Sequence, residues 1–241
     1  MPRVDVVVPA HDEVDTIAAC VDALARAVRT LRRERPGVDV GVTVVLDGCT
    51  DRTAEVLADR VADDDTWRRT PLDVVDTGPR PVGVGRARSL GVAHVLRTVD
   101  RTKAHWAAHT DADSRVHGSW LVQQADALAA GAHVLVGAVE PEPDDLDPAV
   151  LCRWRVAHPP GATLGHVHGA NLGVRVDAYL SLGGFDPVPE HEDVRLVTRA
   201  RALGFDVRAT TAFPVVTSGR FVGRTPGGYA EHLRVTYGDA G

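Results

Sequence analysis

Apolar residues recur along this chain in two alternating rhythms. Residues 4–8, Val-Asp-Val-Val-Val, form a β-branched run closed by Pro9. That predicts a buried strand, because valine packs well on a pleated surface and proline ends the hydrogen-bond ladder. Ile17, Val21, Leu24, Val28 and Leu31 then follow at three- and four-residue steps, the spacing of one apolar stripe on a helix, with Asp12 as its expected cap and Asp15 three residues on. Pro36-Gly37 ends that helix. Residues 40–46 read as a second strand, 51–61 as a second helix, and 72–75 as a third strand introduced by Pro71. After Gly83-Val84-Gly85 a third helix carries Val92, Val95, Leu96 and Val99, and 104–109 is a fourth strand running into Thr110-Asp111-Ala112-Asp113.

Strand and helix therefore alternate four times. The pattern predicts an α/β fold with parallel strands joined by helical crossovers, a doubly wound and mostly parallel sheet flanked by helices. In such sheets ligands bind at the carboxyl ends of the strands. Asp47 closes the second strand and Asp111 and Asp113 follow the fourth, so three carboxylates from distant positions are expected at one edge.

The second half is less regular. Residues 119–130 read as a helix and 133–139 as a strand; 141–148 read as an acidic, proline-rich surface loop. Residues 161–169 hold three glycines with His166 and His168, a composition that predicts a mobile loop which orders on ligand binding. A segment at 170–176 precedes the Gly183-Gly184-Phe185-Asp186-Pro187 turn. A helix is expected from about Glu190 to Leu203, stopped by Gly204, then a strand-like stretch from Val207, the Thr217-Ser218-Gly219-Arg220 segment, and a short helix after Pro226.

Composition narrows the class. A length of 241 residues suits one α/β domain, taken here as 1–241, in two halves, 1–115 and 116–241. Twenty-seven basic against 33 acidic residues leave a net charge of −6, and the arginines are scattered, which argues against nucleic acid as a partner. Cys20, Cys49 and Cys152 are odd in number and widely spaced, describing neither a disulfide framework nor a zinc cluster, so a cytoplasmic setting is expected. The longest uncharged apolar stretch, 127–139, falls short of the roughly 18 residues that span a bilayer, and no integral membrane segment is expected.

Asp111-Ala112-Asp113 offers paired oxygen ligands on a loop at the ligand edge. Mg2+ or Mn2+ characteristically takes one or two protein carboxylates and completes its shell with phosphate oxygens and water. Taken alone, the pair reads first as a solvated turn that caps the next helix. Glu192-Asp193 is a second acidic centre: Asp193 shares a helical face with Val197, Ala200 and Gly204 and is expected to point inward, with Glu192 rotated away by about 100°. It also reads as a capping acid held by the helix dipole.

In order along the chain stand Pro9-Ala10-His11-Asp12-Glu13, Leu46-Asp47-Gly48-Cys49-Thr50-Asp51, Gly83-Val84-Gly85-Arg86-Ala87-Arg88, Thr110-Asp111-Ala112-Asp113, Gly169-Ala170-Asn171, Gly183-Gly184-Phe185-Asp186 and Glu192-Asp193. Together they resemble the family 2 glycosyltransferases of the GT-A fold, over nearly the whole chain. The resemblance implies an α/β/α sandwich and an inverting transfer of a sugar from a nucleotide-sugar donor, UDP- or GDP-linked, to an acceptor hydroxyl. It implies Asp193 as general base, Asp47 near the nucleotide base, Asp111 near the ribose, and Asp113, helped by Asp111, on a divalent cation, Mn2+ or Mg2+. Pro9, Ala10, His11, Glu13, Arg86, Arg88, Arg220 and Arg224 are then donor-side residues, and His168, Gly169, Ala170, Asn171 and Glu192 acceptor-side residues. Arg86 and Arg88 read equally as surface arginines. The chain departs from the family pattern at Leu46, where an aspartate is usual, and at Asp12, where asparagine is usual.

Two alternatives remain at this stage: a non-catalytic sugar-nucleotide binder, and a sugar nucleotidyltransferase, which wants a glycine-rich phosphate loop directly after the first strand. His158, His166 and His168 lack metal-ligand spacing and read as surface or acceptor-loop residues. Trp106 and Trp120 read as core; Trp154 reads as core or as a stacking surface for a sugar. Cys49 has no paired histidine and is not expected to act as a nucleophile.

Overall fold

The computed structural model describes residues 1–98, 104–159, 161, 165–188, 190–223 and 228–238. Arg224 and residues 162–164 of the expected mobile loop lie outside them. The first half runs β1 (Arg3–Ala10), α1 (Ile17–Glu34), β2 (Asp39–Leu46), α2 (Thr53–Asp63), α3 (Asp65–Arg69), β3 (Leu72–Asp76), α4 (Val84–Thr98) and β4 (His105–His109). The second half runs β5 (Ser114–Arg115), α5 (Trp120–Ala129), β6 (Val134–Pro141), α6 (Pro148–Ala157), β7 (Leu172–Arg175), α7 (Val176–Ser181), α8 (Glu192–Ala202), β8 (Val207–Thr217) and α9 (Tyr229–Tyr237).

The eight strands among the described residues form one sheet in the order β3-β2-β1-β4-β7-β6-β8-β5. The first four are parallel, as their helical crossovers require, and β6 and β8 are parallel as well. Strand β7 runs antiparallel to both neighbours, and β5 antiparallel to β8. Strand order reverses at β1/β4, which opens a crevice where the chains of β1 and β4 leave the sheet.

Each face of the sheet buries an apolar layer. On one face the Ile17–Leu31 stripe of α1 packs with Trp106, Trp120 and Leu121; on the other, α4, α7 and α8 bring Val92, Tyr179, Leu196 and Val197 against Val7, Val45 and Leu172. A Cβ on Gly91 would collide with Val7, so this glycine lets α4 lie close on β1. Leu146, Val150, Trp154, Leu233 and Tyr237 make a smaller cluster that ties α6 to α9. No helix among the described residues is long and apolar enough to cross a membrane.

Several expectations need correction. Asp12 does not cap α1. Its backbone is left-handed (φ 51°), and its carboxylate accepts the backbone N–H groups of Thr50 (2.6 Å) and Asp51 (3.2 Å), clasping the loops after β1 and β2 together; α1 starts later, behind Thr16. The acidic 141–148 stretch is the end of β6, a single 3-10 turn and the first residue of α6, where Pro148 takes the first helical position behind the Asp147 cap. Helices α3, α6 and α7 are short, and their apolar residues are too few to display a period.

Candidate active site

The loop after β4 folds back at once: Ser114 N–H donates to the Asp111 carbonyl (3.1 Å), and the Ser114 and Thr217 hydroxyls lie 2.8 Å apart, fixing β5 on β8. Asp111 and Asp113 are thereby held at the carboxyl end of β4, facing a cleft of about 560 Å³. Across it stands the first turn of α8, with Glu192 and Asp193. His168, Gly169, Ala170 and Arg220 also line this cleft, so the two acidic centres share one cavity.

The floor is ionic. Arg88 is 3% exposed and donates to Asp111 Oδ1 (2.5 Å) and to Glu192 Oε1, joining the two acidic centres through one guanidinium. These carboxylates hold the Arg88 pKa up against burial. A Cβ on Gly169 would strike the same guanidinium, so a glycine is needed there. Burial pushes the Glu192 carboxyl up, and Arg88 opposes the shift. Glu192, at 3% exposure, is the more buried of the acidic pair, whereas the Asp193 carboxylate is half-buried and accepts the Val194 N–H (2.7 Å). This corrects the helical-face expectation: the first turn of α8 overhangs the cleft, so both acids turn toward it.

Asp113 is half-buried beside Asp111 and Glu13. Desolvation, then those two like charges, push its carboxyl up to about 6, and Arg220 and Ser114 oppose them. Asp111, Asp113 and Glu13 meet two arginines, Arg88 on Asp111 and Arg220 on Asp113 and Glu13, and Arg88 is shared with Glu192, so negative oxygen remains in excess, a donor set that fits Mg2+ or Mn2+. Another acidic group, Asp12, Cys49 and Asp51, brings ligand atoms within 4.8 Å of one another, but its carboxylates already accept the Thr50, Asp51, Thr53 and Val14 N–H groups. Burial pushes the Cys49 thiol up, which leaves it protonated and unreactive.

The donor-side residues divide. Pro9, Ala10, His11, Glu13 and Asp47 sit at or just beyond the ends of β1 and β2 and do not line the cleft, although Glu13 reaches it by pairing with Arg220. Asp47 is 4% exposed and spends its carboxylate on the Thr77 hydroxyl and the Val82 and Gly83 N–H groups (3.1, 2.7 and 2.9 Å), shaping the entry to α4. His11 Nδ1 lies 2.6 Å from the Asp47 carbonyl. Arg86 is exposed and does not line the cleft, so the structure does not bring it to the site.

Asn171 is also corrected. It is fully buried, accepts from Trp120 Nε1 and donates to the Ala138 carbonyl (2.8 Å each), and does not reach the cleft. Trp154 stacks on His158 (centroids 4.2 Å apart) under the α6–α9 cluster, so its face is not offered to a sugar. Sequence reasoning missed the cleft face of α8, formed by Val194, Thr198 and Arg201 at steps of four and three, and also missed Tyr229 and His232 at the start of α9. The i, i+3 spacing of Tyr229 and His232 was visible, but nothing marked which way that helix would face.

Comparison with known proteins now bears on this geometry. The model of the family described as glycosyl transferase family 2 matches residues 5–179, well over half of the chain. The chain belongs to glycosyl transferase family 2. No curated protein matches this family 2 chain significantly by sequence. Among solved structures it is similar to S. aureus TarS 1-349 (16% identity, 90% of this chain and 60% of that one, TM-score 0.63). It is also similar to mannosyltransferase PcManGT from Pyrobaculum calidifontis in complex with GDP-Man and Mn2+ (20%, 89% and 56%, TM-score 0.64). A third is glucosyl-3-phosphoglycerate synthase from Mycobacterium tuberculosis in complex with Mn2+, UDP and phosphoglyceric acid (17%, 90% and 71%, TM-score 0.56). The family 2 chain thus spans less than two thirds of the first two. These likenesses establish the GT-A fold.

Proposed function

We propose that this protein is a metal-dependent, inverting glycosyltransferase that moves a sugar from a nucleoside-diphosphate sugar to an acceptor hydroxyl. The observation that carries this reading is the shared cleft, in which Asp111 and Asp113 face Glu192 and Asp193. The complexes of PcManGT with GDP-Man and Mn2+ and of the M. tuberculosis synthase with UDP and Mn2+ support a donor of the same class.

Asp113, with Asp111 beside it, would hold the divalent cation, which when bound supplies charge neutralisation for the diphosphate. Asp193 accepts the acceptor's hydroxyl proton as its oxygen bonds to the anomeric carbon from the face opposite the leaving group. The bond from that carbon to the diphosphate oxygen breaks, and its electron pair departs with the nucleoside diphosphate. Arg220, adjoining Asp113, is placed to meet the charge that develops there. Glu192, tied to Arg88, positions the first turn of α8 instead of taking the proton. One nucleophile and one base suffice, unlike the two carboxyl groups that flank the bond in a glycoside hydrolase. Asp47 and His11 frame the nucleotide end.

Calorimetry with UDP and GDP, with and without Mn2+, tests donor binding. Asp113→Asn is expected to abolish the cation-dependent part, and undiminished cation-dependent binding in that variant removes Asp113 from the site. Asp193→Asn is expected to keep donor binding and to lower kcat by about 10²- to 10⁴-fold. Unchanged turnover removes Asp193 as base.

A further inference from the structure

A smaller cavity of about 70 Å³ opens beside the main cleft, sharing Gly165, His166, His168 and Arg201 with it. Its polar lining is His158, His166, His168, Arg201, Thr210 and Thr211, and no aspartate or glutamate lines it among the described residues. The main cleft shares His166, His168 and Arg201 but also carries Asp111, Asp113, Glu190, Glu192 and Asp193. The side cavity is too small for a sugar ring or a nucleotide but has room for a group of a few heavy atoms.

Its donors are open. The side chains of Arg201, His166, His168 and Thr211 make no hydrogen bond or ion pair among the described residues, in a fold whose other arginines are mostly paired. His158 gives Nδ1–H to the Trp154 carbonyl (2.9 Å), so its neutral ring has no further N–H to offer, and the Thr210 oxygen accepts from Gln123 and Ala212, leaving its hydroxyl proton. The rings of His158 and His166 lie 5.9 Å apart and those of His166 and His168 6.0 Å, crowding imidazoles that repel one another when protonated. Burial, then His166 and His232, bring His168 down to about 4. One permanent cation, the Thr210 and Thr211 hydroxyls and the N–H groups of His166 and His168, with no acid on this cavity's wall among the described residues, form a seat suited to an anion.

We propose that this side cavity holds a compact oxyanion, phosphate or carboxylate, carried by the acceptor, so that the protein glycosylates acidic alcohols in preference to neutral ones. The inference rests on the glycosyltransferase reading. Helix α8 sets the geometry: Asp193 in its first turn and Arg201 in its last are about 12 Å apart along the axis. An acceptor anchored at Arg201 presents its hydroxyl toward Asp193 within a span that both side chains shorten.

The test uses alcohols of one skeleton, glycerol phosphate, glyceric acid and glycerol, with inorganic phosphate and acetate as bare anions, on the full chain. Histidine ring resonances in NMR report occupancy of the cavity without turnover. Phosphate or acetate is expected to shift the His166 and His168 signals saturably, and glycerol phosphate or glyceric acid to bind at least about tenfold tighter than glycerol. The relative strength of the phosphate and carboxylate arms identifies the anion. Arg201→Gln should bring the acidic alcohols to the level of glycerol while nucleotide affinity stays put; Arg195→Gln, on the same helix and away from the cavity, should leave the preference intact. Equal binding of all three alcohols, no histidine shift with either anion in the millimolar range, or an intact preference in Arg201→Gln overturns the proposal. Nucleotide binding measured alongside separates the two claims, because its loss with the anion shifts retained overturns the donor reading and leaves the anion seat standing.

Discussion

Arg220 places Nη2 3.0 Å from Asp113 Oδ2 and 3.1 Å from Glu13 Oε1, so one guanidinium from the segment after β8 bridges the loops after β1 and β4. The contact compensates part of the negative charge at the place proposed for a cation, and a cation must compete with it. Replacing Arg220 by Gln is therefore expected to strengthen binding of Mn2+ alone by about threefold to tenfold, a modest factor because Arg220 is 30% exposed and screened. The same change should weaken UDP or GDP binding in the presence of Mn2+. Titration followed by Mn2+ electron paramagnetic resonance measures the first effect, and an unchanged Mn2+ affinity shows that the pair plays no part in cation entry.

The Arg88 bridge is expected to matter more for folding than for binding. Arg88→Leu leaves Glu192 buried without its counter-ion, which costs about 3 kcal/mol and lowers Tm by about 6–12 °C for a domain of this size. In the double variant Arg88→Leu/Glu192→Gln most of that loss should be recovered, since the buried carboxylate is gone and Asp111, which also loses Arg88, is 32% exposed and screened by water. Chemical unfolding of the single and double variants decides it; a double variant no better than the single one contradicts a charge-pairing role.

Stability should also fall in mild acid through His109. This residue is fully buried against Phe185 (ring centroids 5.0 Å), neither ring nitrogen has a hydrogen-bond partner among the described residues, and burial, then Arg88, lower its pKa to about 3. The unfolded chain takes up this proton near pH 6.5 and the folded chain only near 3. The neutral ring's contribution is therefore fully present above 6.5 and is lost as pH falls through that window. Linkage gives a loss of about 2 kcal/mol between pH 7 and pH 5. Urea unfolding at the two values should show this slope in the parent and a smaller slope in His109→Leu, and equal slopes would show that His109 does not titrate on unfolding.

Asn171 gives a cleaner separation of structure from recognition. Asn171→Ala strands the Trp120 Nε1–H and the Ala138 carbonyl in the core, an expected cost of about 2–4 kcal/mol. Acceptor KM should stay close to the parent value at temperatures where the variant is folded. A raised KM with undiminished Tm would return Asn171 to the acceptor site.

The parallel half of the sheet, the strand ends that carry Asp47, Asp111 and Asp113, and the pairing of two acidic centres were legible in the chain. Valine runs and the Ile17–Leu31 stripe have periods that local geometry imposes, and a strand's end is visible wherever a proline or an acid interrupts it. What the chain alone could not decide was direction. Whether Arg86 or Arg88 faces inward, whether Glu192 or Asp193 is the deeper acid, and whether Asn171 meets a ligand or Trp120 depend on partners far away in sequence, with Arg88 and Glu192 separated by 104 positions and Asn171 and Trp120 by 51. Histidines 158, 166, 168 and 232 share the same limit. Their meeting around Arg201 is set by the packing of α6, α8 and α9 on the sheet, because side-chain chemistry becomes a site only where the fold removes competing water and brings distant groups into reach.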